Sequence, residues 1–279
     1  MITGPTGAGK SDLAVEIAER FGGVVVSMDA MQVYRGMDVG TAKVSPEVRA
    51  RVPHFLLDVR DPDEDFSAAD FVRETEAVVA SGRPVVICGG TVFYLRAWVR
   101  GLVPAPPVDP ALRATLEALD DPHARLREVD PVLAARLHPN DRVRIVRGLE
   151  IHALTGRPLS DLHAVAPPRR EAEVVWVDRD DLYARVDARV EAMMAAGYLD
   201  EVRALLAKGY GRERKPMQSL GYRHLADHLA GEIPLEEAVR RTRRDTRNYA
   251  RKQRSFLRGL GYAPGGDPWA AAARAFDRA

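Results

Sequence analysis

The chain has 279 residues, 46% hydrophobic and 29% charged, enough to bury an ordinary core and too apolar for a disordered segment. Its 41 basic and 40 acidic side chains leave a net charge of +1, which alone gives no sign of a nucleic-acid or anionic-membrane partner. A single cysteine, Cys88, excludes an internal disulfide framework and a multi-thiolate zinc site, and its apolar run Val85-Val86-Ile87-Cys88 reads as core. No stretch reaches the roughly 18 apolar residues of a membrane span, and no secretory leader opens the chain. A soluble, cytoplasmic protein without membrane contact is expected.

The first element is a loop. Gly4-Pro5-Thr6-Gly7-Ala8-Gly9-Lys10-Ser11 fits G-x-x-x-x-G-K-[ST] and runs straight into an amphipathic helix with Leu13, Ile17 and Phe21 at four-residue spacing. Consecutive amides and a helix N-terminus form an anion cradle, Lys10 reaches phosphoryl oxygens, and the Ser11 hydroxyl can ligate Mg²⁺. Only Met1-Ile2-Thr3 precede the loop, where a buried strand of about five residues is usual, so a shortened first strand is expected. A P-loop names a diphosphate or triphosphate and leaves kinase, hydrolase and transferase open.

Strands are then expected at Val24-Val25-Val26-Ser27, Phe55-Leu56-Leu57-Asp58 and Pro84-Val85-Val86-Ile87, apolar runs of the kind buried on both faces of a parallel sheet. Ser67 with Asp70 resembles a capping box opening a helix through Val79. Alternating strands and helices predict an α/β fold, a P-loop NTPase-like three-layer core around a parallel sheet. Asp29 follows the second strand, and a carboxylate there faces the crevice where open α/β sheets bind ligands. A helix cap or a magnesium partner is an equally open role for it at this point.

From Pro104-Ala105-Pro106-Pro107 the texture becomes helical, with a helix from Val143 to Leu154 and a second break at Pro167-Pro168. Val174-Val175-Trp176-Val177-Asp178 reads as a return to the sheet, and the chain beyond Asp180 as helical, with Leu182, Val186, Val190 and Met193 on one stripe. The expected organisation is a core over 1–104 and 172–262 that includes C-terminal helices, a helical insertion over 105–171, and a tail over 263–279.

The run Ser27-Met28-Asp29-Ala30-Met31-Gln32-Val33-Tyr34-Arg35-Gly36-Met37-Asp38-Val39-Gly40-Thr41-Ala42-Lys43 resembles, from Asp29 on, the D-S-x-Q-V-Y-x-x-M-D-I-G-T-A-K signature of tRNA dimethylallyltransferases, also called isopentenyl-diphosphate:tRNA transferases. Further segments similar to that family follow in order: Pro53 to Asp58, Phe66 to Phe71, Gly89 to Tyr94, His138-Pro139-Asn140-Asp141 with Arg144 and Arg147, and Gly221-Tyr222-Arg223. The likeness runs from the P-loop to about Gly261. Ala30 stands where Ser is usual and Gly148 where Ala is usual, and neither departure removes a proposed catalytic group.

The resemblance implies transfer of a dimethylallyl group from its diphosphate to N6 of adenosine 37 beside a tRNA anticodon, in tRNAs reading codons that begin with U, with Mg²⁺ held at Ser11. It makes Asp29 the base that accepts the N6 proton, with Thr91 and Lys10 at the reacting centre. Diphosphate would bind to Gly4, Pro5, Thr6, Gly7, Ala8, Gly9, Lys10 and Ser11 and to Arg189, which with Arg185 lies on one face of the helix after the last strand. Contacts to an extruded anticodon-loop base and its neighbours would come from Asp29, Ala30, Met31, Gln32, Thr91, Arg113, Arg144, Arg147, Gly221, Tyr222 and Arg223, the insertion meeting the anticodon stem-loop. Without the resemblance, Arg185 and Arg189 read as a solvated face paired to Asp181 or Asp187, and Thr91 as a helix cap. Met28, Met31 and Val33 are candidates for an apolar prenyl slot. A single copy is expected to act alone.

A P-loop small-molecule kinase, a prenyltransferase acting on free adenylate, and a nucleotide-binding switch are the rival readings; the last lacks an N-K-x-D guanine-specifying segment. The charge is unevenly spread. Residues 1–110 carry 11 basic and 15 acidic side chains and residues 111–279 carry 30 and 25, so the second part is net positive by 5. The segment Arg240 to Arg258 alone holds nine basic residues and one acid, Asp245, and a solvated face or a phosphate-facing stripe would both account for it.

Overall fold

The computed structural model describes residues 1–103, 105–164 and 170–276. Pro104 and the Pro167-Pro168 break lie outside the described residues. Five strands form one parallel sheet: β1 (Ile2–Thr3), β2 (Val24–Ser27), β3 (His54–Phe55), β4 (Val85–Cys88) and β5 (Val175–Trp176), in the order β3-β2-β4-β1-β5. The centre is the pairing of β2 with β4, Val24 opposite Val85 through Ser27 opposite Cys88. Because side chains alternate across a pleat, Val26 and Ile87 enter one core with Leu95 and Trp176, while Val25 and Val86 enter another with Ala14 and Ile17. Both faces are covered, as the apolar character of these strands requires.

Parallel strands need crossovers, and the helices supply them: α1 (Lys10–Arg20), α2 (Pro46–Arg51), α3 (Ala68–Val79) and α4 (Val92–Arg100). At α3 the capping box is formed, with Asp70 N donating to Ser67 Oγ at 3.2 Å and Ser67 N donating to the Asp70 carboxylate at 2.9 Å. The strand expected at 55–58 is shorter and earlier. Leu56 and Asp58 take φ of 61° and 57°, a left-handed backbone that ends the ladder, and the Asp58 carboxylate is held by Lys43 Nζ and Arg49, each at 2.6 Å.

The chain forms two compact units, Met1–Val99 with Glu171–Ala279, and Arg100–Arg170. The second contains α5 (Pro110–Glu117), α6 (Pro122–Val129), α7 (Pro131–Ala134), α8 (Arg142–Thr155) and α9 (Leu159–Ala164), gathered on Leu126, Ala134, Ile145 and Leu149. Three of these helices open on Asp-Pro: Asp109, Asp121 and Asp130 each accept from a first-turn amide, and proline follows where its missing N–H costs nothing. The first unit continues in α10 (Leu182–Ala195), α11 (Tyr198–Ala207), α12 (Tyr222–Leu229), α13 (Leu235–Gly259) and α14 (Pro268–Phe276). Residues 263–279, read as a tail, contain this last helix: Ala271 and Ala272 are buried, and the Phe276 ring lies 5.2 Å from that of Phe21. Small alanines let a short helix lie close on the sheet's second core, a packing role that their composition had disguised as looseness. Among the described residues no helix is long and apolar enough to cross a membrane.

Candidate active site

Strands β1 and β4 are neighbours, and the chain leaves β1 toward β2 on one side and β4 toward β5 on the other, which opens a crevice at their carboxyl ends. The P-loop follows β1, Asp29 follows β2, Gly89-Gly90-Thr91 follow β4, and Asp178 follows β5. A cleft of about 1200 Å³ is bordered by Lys10, Asp29 and Thr91, by Arg185 and Arg189 of α10, and by Tyr249 of α13.

Within the P-loop, the Thr6 amide donates to Gln253 Oε1 at 2.9 Å and the Ala8 amide to Pro5 O at 3.3 Å. That leaves Gly7, Gly9, Lys10 and Ser11 to present amides to an anion at the start of α1. Lys10 Nζ folds over the loop to donate to Pro5 O at 2.6 Å. Burial lowers its pKa to about 8; the neighbouring Arg189 adds to the effect, while Cys88, Asp29 and Asp178 oppose it. The sign sets an expected pH dependence. Below pH 8 the ammonium is present and diphosphate affinity is level; above it, binding must first protonate Lys10, so affinity falls by up to about tenfold per pH unit and a proton is taken up. Titration calorimetry of inorganic pyrophosphate in two buffers of different ionisation enthalpy, with the ligand's own last ionisation subtracted, measures both, and a level affinity from pH 7 to 10 with no proton uptake after that subtraction would contradict this role.

The two arginines of α10 are not held by the acids beside them. Asp181 pairs with Arg179 at 2.8 Å and Asp187 with Arg247 at 3.3 Å. Arg185 Nε donates to Gly7 O at 3.1 Å, which brings its charge against the P-loop. Arg189 makes no hydrogen bond or ion pair among the described residues; desolvation lowers its pKa and the Asp29 carboxylate opposes that. A half-buried guanidinium without an acidic partner, in the cleft that the P-loop borders, can receive an anion.

Asp29 Oδ1 accepts the amides of Met31 at 2.8 Å and Gln32 at 3.3 Å, an Asx turn that leaves the second carboxylate oxygen for the cleft. Thr91 stands just before α4 but does not cap it with its side chain. Its Oγ1 accepts the Ala30 amide at 3.0 Å and so fastens the end of β2 to that of β4. The Tyr249 hydroxyl stands near Thr91 and Gln253, and its pKa is raised, first by desolvation and then by the charge of Asp29. Met28 and Val33, candidates for a prenyl slot, are fully buried in the core beneath this segment and do not border the cleft. Met31 borders it, and the apolar wall is Val186, Val190 and Met193 of α10 with Leu220.

The segment after Asp29 is tied down along its length. Gln32 Oε1 accepts from Ser27 Oγ at 2.8 Å and its Nε2 donates to Thr41 O at 3.1 Å, so this amide braces the loop from within. Lys43 Nζ, almost wholly buried, reaches Tyr34 O, Asp38 and Asp58. From α11, Glu201 accepts the amides of Asp38, Val39 and Gly40 at 2.7, 2.7 and 3.0 Å and the Tyr222 hydroxyl at 2.7 Å. Gly40 passes so near this anchor that a Cβ would stand 2.1 Å from the Tyr198 ring.

The model of the family described as IPP transferase matches residues 32–260. The chain belongs to this family. It is 48% identical over 268 residues to tRNA dimethylallyltransferase 1 of Citrifermentans bemidjiense, covering 92% of this chain and 88% of that one. It is 49% identical over 273 residues to a tRNA dimethylallyltransferase of Geobacter metallireducens, with the same coverage. Among solved structures, the tRNA isopentenylpyrophosphate transferase of Bacillus halodurans matches with a TM-score of 0.67 at 33% identity, over 99% of this chain and 93% of that one. A eukaryotic dimethylallyltransferase acting on tRNA matches with a TM-score of 0.79 at 28% identity, over 92% of this chain and 68% of that one. The α/β core with its P-loop is thus the IPP transferase core.

Not every expected recognition residue of this IPP transferase borders the cleft. Tyr222 does, although it is buried, bonded to Glu201 and edge-on to Tyr198 at 5.0 Å. Gly221 turns the chain into α12 with φ 81°, and Arg223 is paired with Asp245 at 2.5 Å. In the second unit Arg147 and Arg113 converge on the fully buried Glu150, at 2.6 and 3.6 Å, and neutralise it. Arg144 is 70% exposed and linked to Asp141 at 3.1 Å. Along the basic helix α13, Arg240, Arg241, Arg243, Arg244, Arg247 and Arg254 each pair with a carboxylate. The residues overlooked in that helix are its uncharged ones. Thr242, Thr246, Tyr249 and Gln253 recur at spacings of four, three and four and line the cleft.

Proposed function

We propose that this IPP transferase is a tRNA dimethylallyltransferase that modifies N6 of adenosine 37 in tRNAs reading codons that begin with U. The observation that carries the reading is the shared cleft: the P-loop and two arginines without acidic partners on one side, Asp29 and Thr91 on the other. The C–O bond of dimethylallyl diphosphate breaks as a C–N6 bond forms; diphosphate leaves into the P-loop, and the N6 proton passes to Asp29. The loop amides, Lys10 and Arg189 stabilise the charge that develops on the leaving oxygens. Adenine N6 is a weak nucleophile, its lone pair delocalised into the ring, and a carboxylate bonded to N6–H raises its reactivity. The adenine must leave the anticodon stack to reach the cleft. Arg144, exposed in the second unit, is the best placed of the expected arginines for a phosphate contact.

Ser11 borders the cleft at the start of α1, and its hydroxyl is a hard oxygen donor that fits Mg²⁺, which is held by few protein oxygens together with substrate phosphates. Bound there, the ion would neutralise the diphosphate. The chain acts as a single copy. Purified protein with Mg²⁺, dimethylallyl diphosphate and unmodified tRNA is expected to add one five-carbon unit to one adenosine, read by mass spectrometry of the digested tRNA. No gain on tRNA together with phosphoryl transfer from ATP would favour a kinase, and gain on free AMP alone would favour the adenylate prenyltransferase.

A further inference from the structure

The ladder between β1 and β4 ends where the active site begins. Its last backbone rung is Gly89 N to Ile2 O at 3.1 Å, followed by Thr3 Oγ1 to Gly89 O at 3.2 Å. Beyond it the P-loop and the Gly90-Thr91 turn are joined by a side chain from α13. Gln253, 3% exposed, accepts the Thr6 amide on Oε1 at 2.9 Å and donates from Nε2 to Gly90 O at 2.7 Å. A primary amide has the donor and acceptor of a peptide group, so Gln253 supplies the rung that the diverging backbones no longer make. The fit is close: a Cβ on Gly90 would lie 2.4 Å from Nε2. From Gly90 the connection runs to Thr91, whose hydroxyl holds the Ala30 amide beside Asp29.

We propose that Gln253 is a positioning residue, its amide setting the distance between the diphosphate cradle on the P-loop and the base-activating pair Asp29 and Thr91. The inference rests on the prenyl-transfer reading. Reacting atoms tolerate little displacement, and an error of about 1 Å costs on the order of 100-fold in rate. Gln253→Leu keeps the bulk and removes both bonds. It is expected to lower kcat about 10- to 100-fold while KM for dimethylallyl diphosphate and pyrophosphate affinity stay near wild type. Gln253→Glu still accepts from Thr6, but as a carboxylate it repels Gly90 O, and only the protonated acid can donate there. Burial beside a carbonyl raises the pKa of such an acid, so the ratio of its kcat to that of wild type should climb as pH falls from 8 to 6. Lys10, Asp29, Arg185, Arg189 and Tyr249, which line the same cleft, are common to both proteins, so a pH dependence of the ratio arises from the group introduced at 253, directly or through them. Wild-type transfer with an unimpaired Leu variant, a loss confined to KM, or a flat Glu ratio would overturn the inference. Absence of transfer by the wild-type enzyme would overturn the function and the inference together.

Discussion

Asp29→Asn is expected to lower turnover about 10²- to 10⁴-fold, the range of a lost general base, while tRNA affinity stays within about twofold of wild type. The substitution is chosen for what it retains. Asn keeps an oxygen for the Met31 and Gln32 amides, so the Asx turn and the segment it starts survive, and only the proton acceptor is lost. Asp29→Ala would remove turn and charge together and confound the two. Single-turnover transfer with tRNA and prenyl diphosphate both saturating isolates the chemical step, and a wild-type rate in the Asn enzyme would take Asp29 out of the mechanism.

The second large effect falls on the other substrate. Arg189→Ala is expected to weaken binding of inorganic pyrophosphate and raise KM for dimethylallyl diphosphate about 10- to 100-fold, corresponding to about 1.5–3 kcal/mol for hydrogen bonds between charged groups. Arg189→Lys should recover part of this, since it restores the charge without the planar fork. Arg247 is the control: it lies in a partly exposed pair with Asp187, and its removal should change pyrophosphate affinity by less than about twofold. Equal losses at the two positions would mean that the general field of the basic helices, and not a specific contact, holds the anion.

The parts of the site legible in the sequence are those in which the reacting side chain sits inside its own motif. The P-loop announces itself by glycine spacing, and Asp29 and Thr91 by following apolar strand runs. Arg189 is reached only through the family resemblance, since its helix face alone reads as solvated, and the structure shows Asp181 and Asp187 turned to other arginines. Glu201 and Gln253 were not legible because their partners are backbone amides and a carbonyl some 160 and 250 residues away, groups that every residue has. Gln32 is the converse case. Its place in a recognisable signature suggested base recognition, whereas its amide is committed to Ser27 and Thr41. The basic run of α13 drew attention to its charges, most of which pair with carboxylates, and away from the uncharged stripe that lines the cleft.

The order of the strands also bears on how the chain is made. Strand β1 is made well before either of its neighbours, since β4 begins at Val85 and β5 at Val175. At roughly 5–20 residues per second, β1 therefore waits on the order of 10 to 30 seconds with one edge unpaired. During that interval the whole Arg100–Arg170 unit emerges, with its own small core to fold around. The Glu201 and Gln253 anchors come later still. A nascent chain cut short before α11 would have its P-loop and Asp29 in sequence but neither the Gln253 rung nor the Glu201 anchor that hold them in place, so catalytic competence waits for α11 and α13.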